Sequence, residues 1–125
     1  MARILIIDDD PVLCAVTEGL LTDAGHVVLI ASDGDEGLAL LQSHEVDLVI
    51  LDMLMPSKDG FETLMEIRRL RSGPRVLAIS GGGMSAPMNY LGPARTLGAD
   101  DIMQKPLNPD ALKAAVARLT ALKSA

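Results

Sequence analysis

Aromatic side chains are almost missing from this sequence: Phe61 and Tyr90 are the only two among 125 residues, and tryptophan is absent. A core must therefore be built from Ile, Leu, Val, Ala and Met, and little material is left on which bases could stack. Cysteine occurs once, at Cys14, which excludes an internal disulfide. Lying in an apolar helical pattern, it reads as a small buried residue rather than a reactive thiol. No Lys or Arg cluster is strong enough to make a phosphate-backbone footprint, and the formal charge of −6 argues further against direct nucleic-acid binding. No apolar run has the length of a membrane span. The opening segment, Met1 to Ile7, is apolar only briefly before three aspartates, so it reads as neither signal peptide nor membrane anchor, and the expected compartment is the cytoplasm.

The apolar fraction of 49% against 22% charged residues is that of a folded globular protein, and the length suits one domain, residues 1–125. Ile4-Leu5-Ile6-Ile7 is a short, β-branched, continuous apolar run of the kind made by a strand buried on both faces. Val27-Val28-Leu29-Ile30, Leu48-Val49-Ile50-Leu51 and Val76-Leu77-Ala78-Ile79 repeat it, and Ile102-Met103-Gln104 is a weaker fifth. Helical spacing fills the gaps, through Val12, Leu13, Val16 and Leu20, then Leu38 and Leu41, then Phe61, Leu64 and Ile67, and last Leu112, Val116 and Leu119. Asp10-Pro11 and Asn108-Pro109 each set an N-cap before a proline at the first helical position, and Gly25 and Gly98 fall where helices should stop. Pro87 and Gly92-Pro93 interrupt the fourth helical segment. Strands alternating with helices predict a parallel sheet covered on both faces, with the ligand site beyond the carboxyl ends of the strands.

Asp8 and Asp9 follow the first candidate strand, Asp52 the third, Ser80 the fourth and Lys105 the fifth. Two carboxylates about 4 Å apart repel by roughly 4 kcal/mol at an effective dielectric of 20, so three gathered aspartates call for positive charge. Lys105 supplies part, and an all-oxygen site with few ligands suits Mg²⁺ for the rest. An ionised aspartate there can attack phosphorus and form an acyl phosphate, with the Ser80 hydroxyl and the Lys105 ammonium placed to bind phosphoryl oxygens. Taken singly, each residue has a plainer reading: Asp10 is best explained as a helix cap, Asp8 or Asp9 as a loop carboxylate, Lys105 as a surface lysine. Their joint placement at strand ends is what carries the chemistry.

Asp52-Met53-Leu54-Met55-Pro56-Ser57-Lys58-Asp59-Gly60 closely resembles the phosphoacceptor loop of receiver domains of two-component response regulators. The resemblance extends to Ile6-Ile7-Asp8-Asp9-Asp10-Pro11, Ser80, Gly98-Ala99-Asp100-Asp101 and Lys105-Pro106, essentially the whole chain. It implies a flavodoxin-like α/β fold, a doubly wound five-stranded parallel sheet in order 2-1-3-4-5 with five helices. It also implies that Asp52 is the acceptor, that Asp9, Asp52 and the backbone carbonyl of Leu54 ligate Mg²⁺, and that Asp8 holds the metal through water. A cis Lys105-Pro106 peptide, phosphoryl supply from a histidine kinase or histidine phosphotransfer protein, and a switched surface around strands 4–5 and helices 4–5 follow from the same resemblance. A downstream effector protein or output domain is implied but not identified. The module is expected to catalyse only its own phosphorylation and dephosphorylation.

Three positions depart from the family pattern: Ile102 replaces a common aromatic, Leu107 replaces a common Phe, and Gly81-Gly82-Gly83 follows Ser80, where a mobile loop is expected. His26 and His44 are expected to be structural or solvated. An aspartyl-nucleophile phosphatase is a competing reading, but Leu54 stands where such enzymes carry a second Asp as general acid. A receiver-fold interaction module without phosphorylation is a second, opposed by the presence of all five site residues. Nucleotide or flavin binding is a third, and the three aspartates after the first strand replace the glycine-rich loop it would need.

Overall fold

The computed structural model describes residues 2–53, 60–70, 73–81 and 91–123. Strands and helices alternate: β1 (Arg3–Ile7), α1 (Pro11–Asp23), β2 (Val27–Ala31), α2 (Gly34–Ser43), β3 (Leu48–Asp52), α3 (Gly60–Arg68), β4 (Arg75–Gly81), α4 (Leu91–Thr96), β5 (Asp101–Lys105) and α5 (Pro109–Lys123). The strands form one parallel sheet in order β2-β1-β3-β4-β5, as the resemblance implies.

Alternation along the strands divides the core in two. Ile4, Ile6, Leu48, Ile50, Leu77 and Ile79 face one side, where Cys14 and Leu21 of α1 and Leu112, Val116 and Leu119 of α5 close over them. Leu5, Ile7, Val49, Leu51, Val76 and Ala78 face the other, with Leu64 and Ile67 of α3 and Ala94 of α4. Burying a Leu or Ile side chain contributes about 1.5–3 kcal/mol, and these layers are almost wholly aliphatic, with Phe61 packed against the second.

Two expectations about facing are corrected. Val12 and Val16 have the spacing of a helix but not its buried stripe: they are 70% and 59% exposed, and α1 turns Cys14, Thr17 and Leu21 inward. An apolar pattern as uniform as that of α1 has no polar face to define its orientation. β2 is not buried on both faces either, because it is an edge strand; Val27 and Ile30 are exposed, unlike the fully covered β3.

Caps agree with the sequence. Asp10 Oδ1 accepts from the amides of Val12 and Leu13, and Asn108 Oδ1 from that of Ala111. Gly25 and Gly98 take φ values of 95° and 116°, a left-handed conformation that costs a side-chain-bearing residue energy. A cap at α2 escaped the sequence reading: Asp33 accepts from the Glu36 amide, while Glu36 reaches back past it to accept from the Ser32 amide. α4 is short, and Pro87 lies outside the described residues.

Candidate functional site

The sheet order reverses between β1 and β3: β1 pairs with β2 on one side and with β3 on the other. Crossover connections leave this seam in opposite directions, which opens a crevice at the carboxyl ends of the two strands. Asp8 follows β1 and Asp52 ends β3, so both stand at that crevice. Lys105 ends β5, and Ser80 is the penultimate residue of β4, one step inside the strand rather than after it.

Asp8 and Asp52 are buried to 1% and 2% exposure, Ser80 is buried, and Asp9 is exposed. Lys105 reaches across β4 to Asp52 and across β4 and β3 to Asp8, its Nζ 3.0 Å from Asp8 Oδ2 and 3.5 Å from Asp52 Oδ2. A cis peptide joins Lys105 to Pro106, as the resemblance implies. Burial on its own would lower the Lys105 pKa, but contact with Asp8 and the charge of Asp52 outweigh it and raise the pKa above the usual lysine value. The residue is therefore a firm cation at neutral pH.

Asp8, Asp9 and Asp52 each offer one carboxylate oxygen such that all three atoms lie within 4.8 Å of one another. Asp8 Oδ1 accepts from the Asp10 amide at 2.9 Å. Asp8 Oδ2 is buried, and among the described residues its contact is the Lys105 ammonium, which leaves lone pairs over. One ammonium against three carboxylates leaves the cluster anionic, and a buried oxygen with spare lone pairs is what a hard cation requires. The donor set fits a divalent cation with a preference for oxygen. Leu54, whose carbonyl is the remaining implied ligand, lies outside the described residues, as does the Met55–Asp59 stretch of the acceptor loop and the Gly82-Gly83 pair.

The structure thus gathers Asp8, Asp9, Asp52 and Lys105 at one edge, with Ser80 on the neighbouring strand beside them, in register with Gln104. Gly60 seats α3 directly on the end of β3: a methyl on it would meet Met53 Cα at 2.5 Å and Asp52 O at 2.6 Å. Cys14, read from sequence only as a buried filler, also touches the site, its thiol donating to the Asp8 carbonyl at 3.4 Å. Burial, with Asp8 adding to it, pushes that thiol up to about 11, so it stays protonated and unreactive. The histidines stand apart: His26 Nδ1 accepts from the Ala2 amide, and His44 lies exposed beside Ser43.

Comparison with known proteins agrees with this geometry. The family model for the response regulator receiver domain matches residues 4–117. The chain is 41% identical over 122 residues to the transcriptional regulatory protein CpxR of Klebsiella pneumoniae subsp. pneumoniae, covering 98% of this chain and 49% of that protein. It is 37% identical over 120 residues to the transcriptional regulatory protein TcrA of Mycobacterium tuberculosis, covering 96% of this chain and 45% of that protein. The chain spans about half the length of these curated relatives. Among solved structures, a CheY-like response regulator receiver domain protein from Methanospirillum hungatei superposes with a TM-score of 0.89 at 29% identity, covering 99% of this chain and 97% of that one. A receiver domain protein from Clostridium thermocellum gives 0.89 at 30% identity, covering 99% and 98%. With an acidic crevice at the sheet's reversal point and a family match over nearly its full length, the chain belongs to the response regulator receiver domain family.

Proposed function

We propose that Asp52 is the phosphoacceptor of a two-component phosphorelay. The observation that carries this reading is the contact of one ammonium, that of Lys105, with two buried carboxylates at the crevice. In the proposed reaction a carboxylate oxygen of Asp52 attacks the phosphorus of a phosphohistidine on a kinase or phosphotransfer protein. The new bond is an acyl phosphate, and the bond from phosphorus to the imidazole nitrogen breaks, with its electron pair leaving on the imidazole. Asp8, Asp9 and Asp52, with the Leu54 carbonyl, would hold Mg²⁺. When bound, that ion offsets the charge shared between carboxylates and phosphoryl oxygens.

The residues of the chain then have distinct tasks. Asp52, desolvated and pinned at the strand end, offers its oxygen in a fixed direction. Lys105 is poised to leave its carboxylate contacts for a phosphoryl oxygen, and the Ser80 hydroxyl to donate to another. Those two movements pull on β4 and β5 and so carry the signal to the surface formed with α4 and α5. The protein acts on no separate substrate; it catalyses its own phosphorylation and dephosphorylation. The reading places it in the cytoplasm, with an effector protein or output domain downstream.

Incubation with acetyl phosphate and Mg²⁺ tests the assignment. Intact-protein mass spectrometry should show one added phosphoryl group, lost in Asp52→Asn. Equal labelling of that variant would remove Asp52 from the role.

A further inference from the structure

Asp8 is braced from three directions. Its amide donates to the Ala31 carbonyl of β2 at 3.1 Å, and its own carbonyl accepts from the Cys14 thiol of α1 at 3.4 Å. The third brace precedes it in the chain. Ile7 is fully buried in the row Ala31–Ile7–Leu51, whose members Ile7 and Leu51 come one residue before Asp8 and Asp52 in the chain. Above that row sits α2, and at the point of contact it carries Gly37. A Cβ on Gly37 would stand 2.4 Å from Ile7 Cδ1, 2.8 Å from Ile7 Cγ1 and 3.7 Å from Ala31 Cβ. The first two distances are inside any allowed carbon–carbon contact.

Gly37 is the fourth of the ten residues of α2, and within a helix glycine costs up to about 1 kcal/mol relative to alanine. Its φ does not require glycine, so only the space it leaves explains the residue. Ile7 has little freedom to yield. The Cδ1 methyl can turn about χ2, but Cγ1 is held by χ1, which β-branching restricts, and with Ala31 on one flank and Leu51 on the other an added methyl either drives Ile7 from its rotamer or pushes β1 away.

We infer that Gly37 is a positioning residue for the acidic crevice: its missing side chain lets α2 close on Ile7 and thereby sets the place of Asp8, the next residue in the chain. The inference rests on the phosphoacceptor reading above for its functional meaning. The opposite helix offers a control, because Gly19 on α1 is also within a helix and has nothing within 4 Å of its added Cβ. Alanine at Gly19 gains helix propensity and displaces nothing; alanine at Gly37 gains the same propensity and displaces Ile7.

The experiment compares wild type, Gly37→Ala, Gly19→Ala and the pair Ile7→Val with Gly37→Ala, by amide NMR with and without Mg²⁺. The cation-free spectra should show Asp8 and Asp9 amides shifted in Gly37→Ala and not in Gly19→Ala. Titration should show Mg²⁺ affinity weakened on the order of tenfold in Gly37→Ala alone. Ile7→Val removes the atom in closest conflict and should recover most of the affinity. Should Gly37→Ala fail to fold, recovery of a folded, Mg²⁺-binding protein in the pair supports the inference, and failure of the pair to recover overturns it. A folded Gly37→Ala with unchanged Asp8 and Asp9 amides and wild-type Mg²⁺ affinity overturns it as well. Absence of Mg²⁺ binding in the wild type would strike the functional reading instead, and the cation-free shifts would still decide the place of Asp8.

Discussion

Both ends of the sheet carry aspartates that reach buried or half-buried positions, yet the two ends use them differently. At the amino end, Asp47 Oδ2 accepts from the Arg3 amide at 2.9 Å, and Asp100 Oδ2 accepts from the Val76 amide at 2.8 Å. Asp100 also meets Arg75 at 3.3 Å and Arg68 at 3.5 Å. These carboxylates are consumed in tying strand starts together. A shallow depression of about 220 Å³ lies among Ala2, Arg3, Val27, Glu45 and Asp47, but its Asp47 is already engaged with backbone. At the carboxyl end, Asp8 and Asp52 share one lysine with Asp9 exposed beside them, and among the described residues Asp8 Oδ2 has lone pairs to spare beyond its contact with that lysine. The same side chain is structural where amides and arginines satisfy it, and available for chemistry where they do not.

Exchanging the two roles by mutation is the direct way to break that contrast. Asp100→Ala strands the amide of the buried Val76 and removes the carboxylate that Arg68 and Arg75 both meet, which should cost about 2 kcal/mol or more in urea unfolding. Phosphorylation by acetyl phosphate should persist in the folded fraction. Asp9→Ala should do the reverse: Mg²⁺ affinity should fall on the order of tenfold in an NMR titration, while the urea midpoint without Mg²⁺ should not fall, because the residue is exposed and its loss relieves repulsion among the gathered carboxylates. Stability loss in Asp9→Ala together with labelling loss in folded Asp100→Ala would erase the distinction between the edges.

A smaller effect tests the boundary within the acidic run itself. Asp10→Ala removes the acceptor for the Val12 and Leu13 amides and should cost about 1 kcal/mol with labelling preserved, since Asp10 caps α1. Smallest is the pH response of the amino edge. Burial lowers the pKa of His26 below the usual 6.5, and the neutral ring accepts from the Ala2 amide. A depressed folded value means that the unfolded chain binds the proton first. The contribution is therefore complete above the unfolded pKa and is lost as pH falls through the folded one. The thermal midpoint should decline on acidification below about pH 6.5, and His26→Gln should flatten that part of the profile.

Much of this was legible because the physics is local. β-branched runs bounded by charge mark β1, β3 and β4, and Asp10-Pro11 and Asn108-Pro109 mark helix starts, since a cap needs only its own next three residues. The placement of Asp8, Asp52 and Lys105 at the crevice was readable once parallel strands were inferred, because strand ends in such a sheet share one edge. The inward face of α1 was not readable: with Val12, Leu13, Cys14, Val16, Leu20 and Leu21 all apolar or small, several stripes compete, and contact with Ile4, Ile6 and the neighbouring α5 selects among them. The exposure of β2 was not readable from Val27 to Ala31 themselves; it follows from the edge position that the strand order implied by the resemblance gives this strand.

By itself, then, the sequence determined the strand and helix alternation, the caps and the identity of the acidic and basic groups, because each depends on neighbours a few residues away. Tertiary structure alone decided which carboxylates are spent on backbone and which share Lys105, and which glycine must be bare. Asp100 and Val76 are 24 residues apart, Lys105 and Asp52 are 53 apart, and only the packed sheet brings either pair within bonding distance. The fit of Ile7 against Gly37 likewise exists only where α2 lies across β1, at a depth set by the whole aliphatic core.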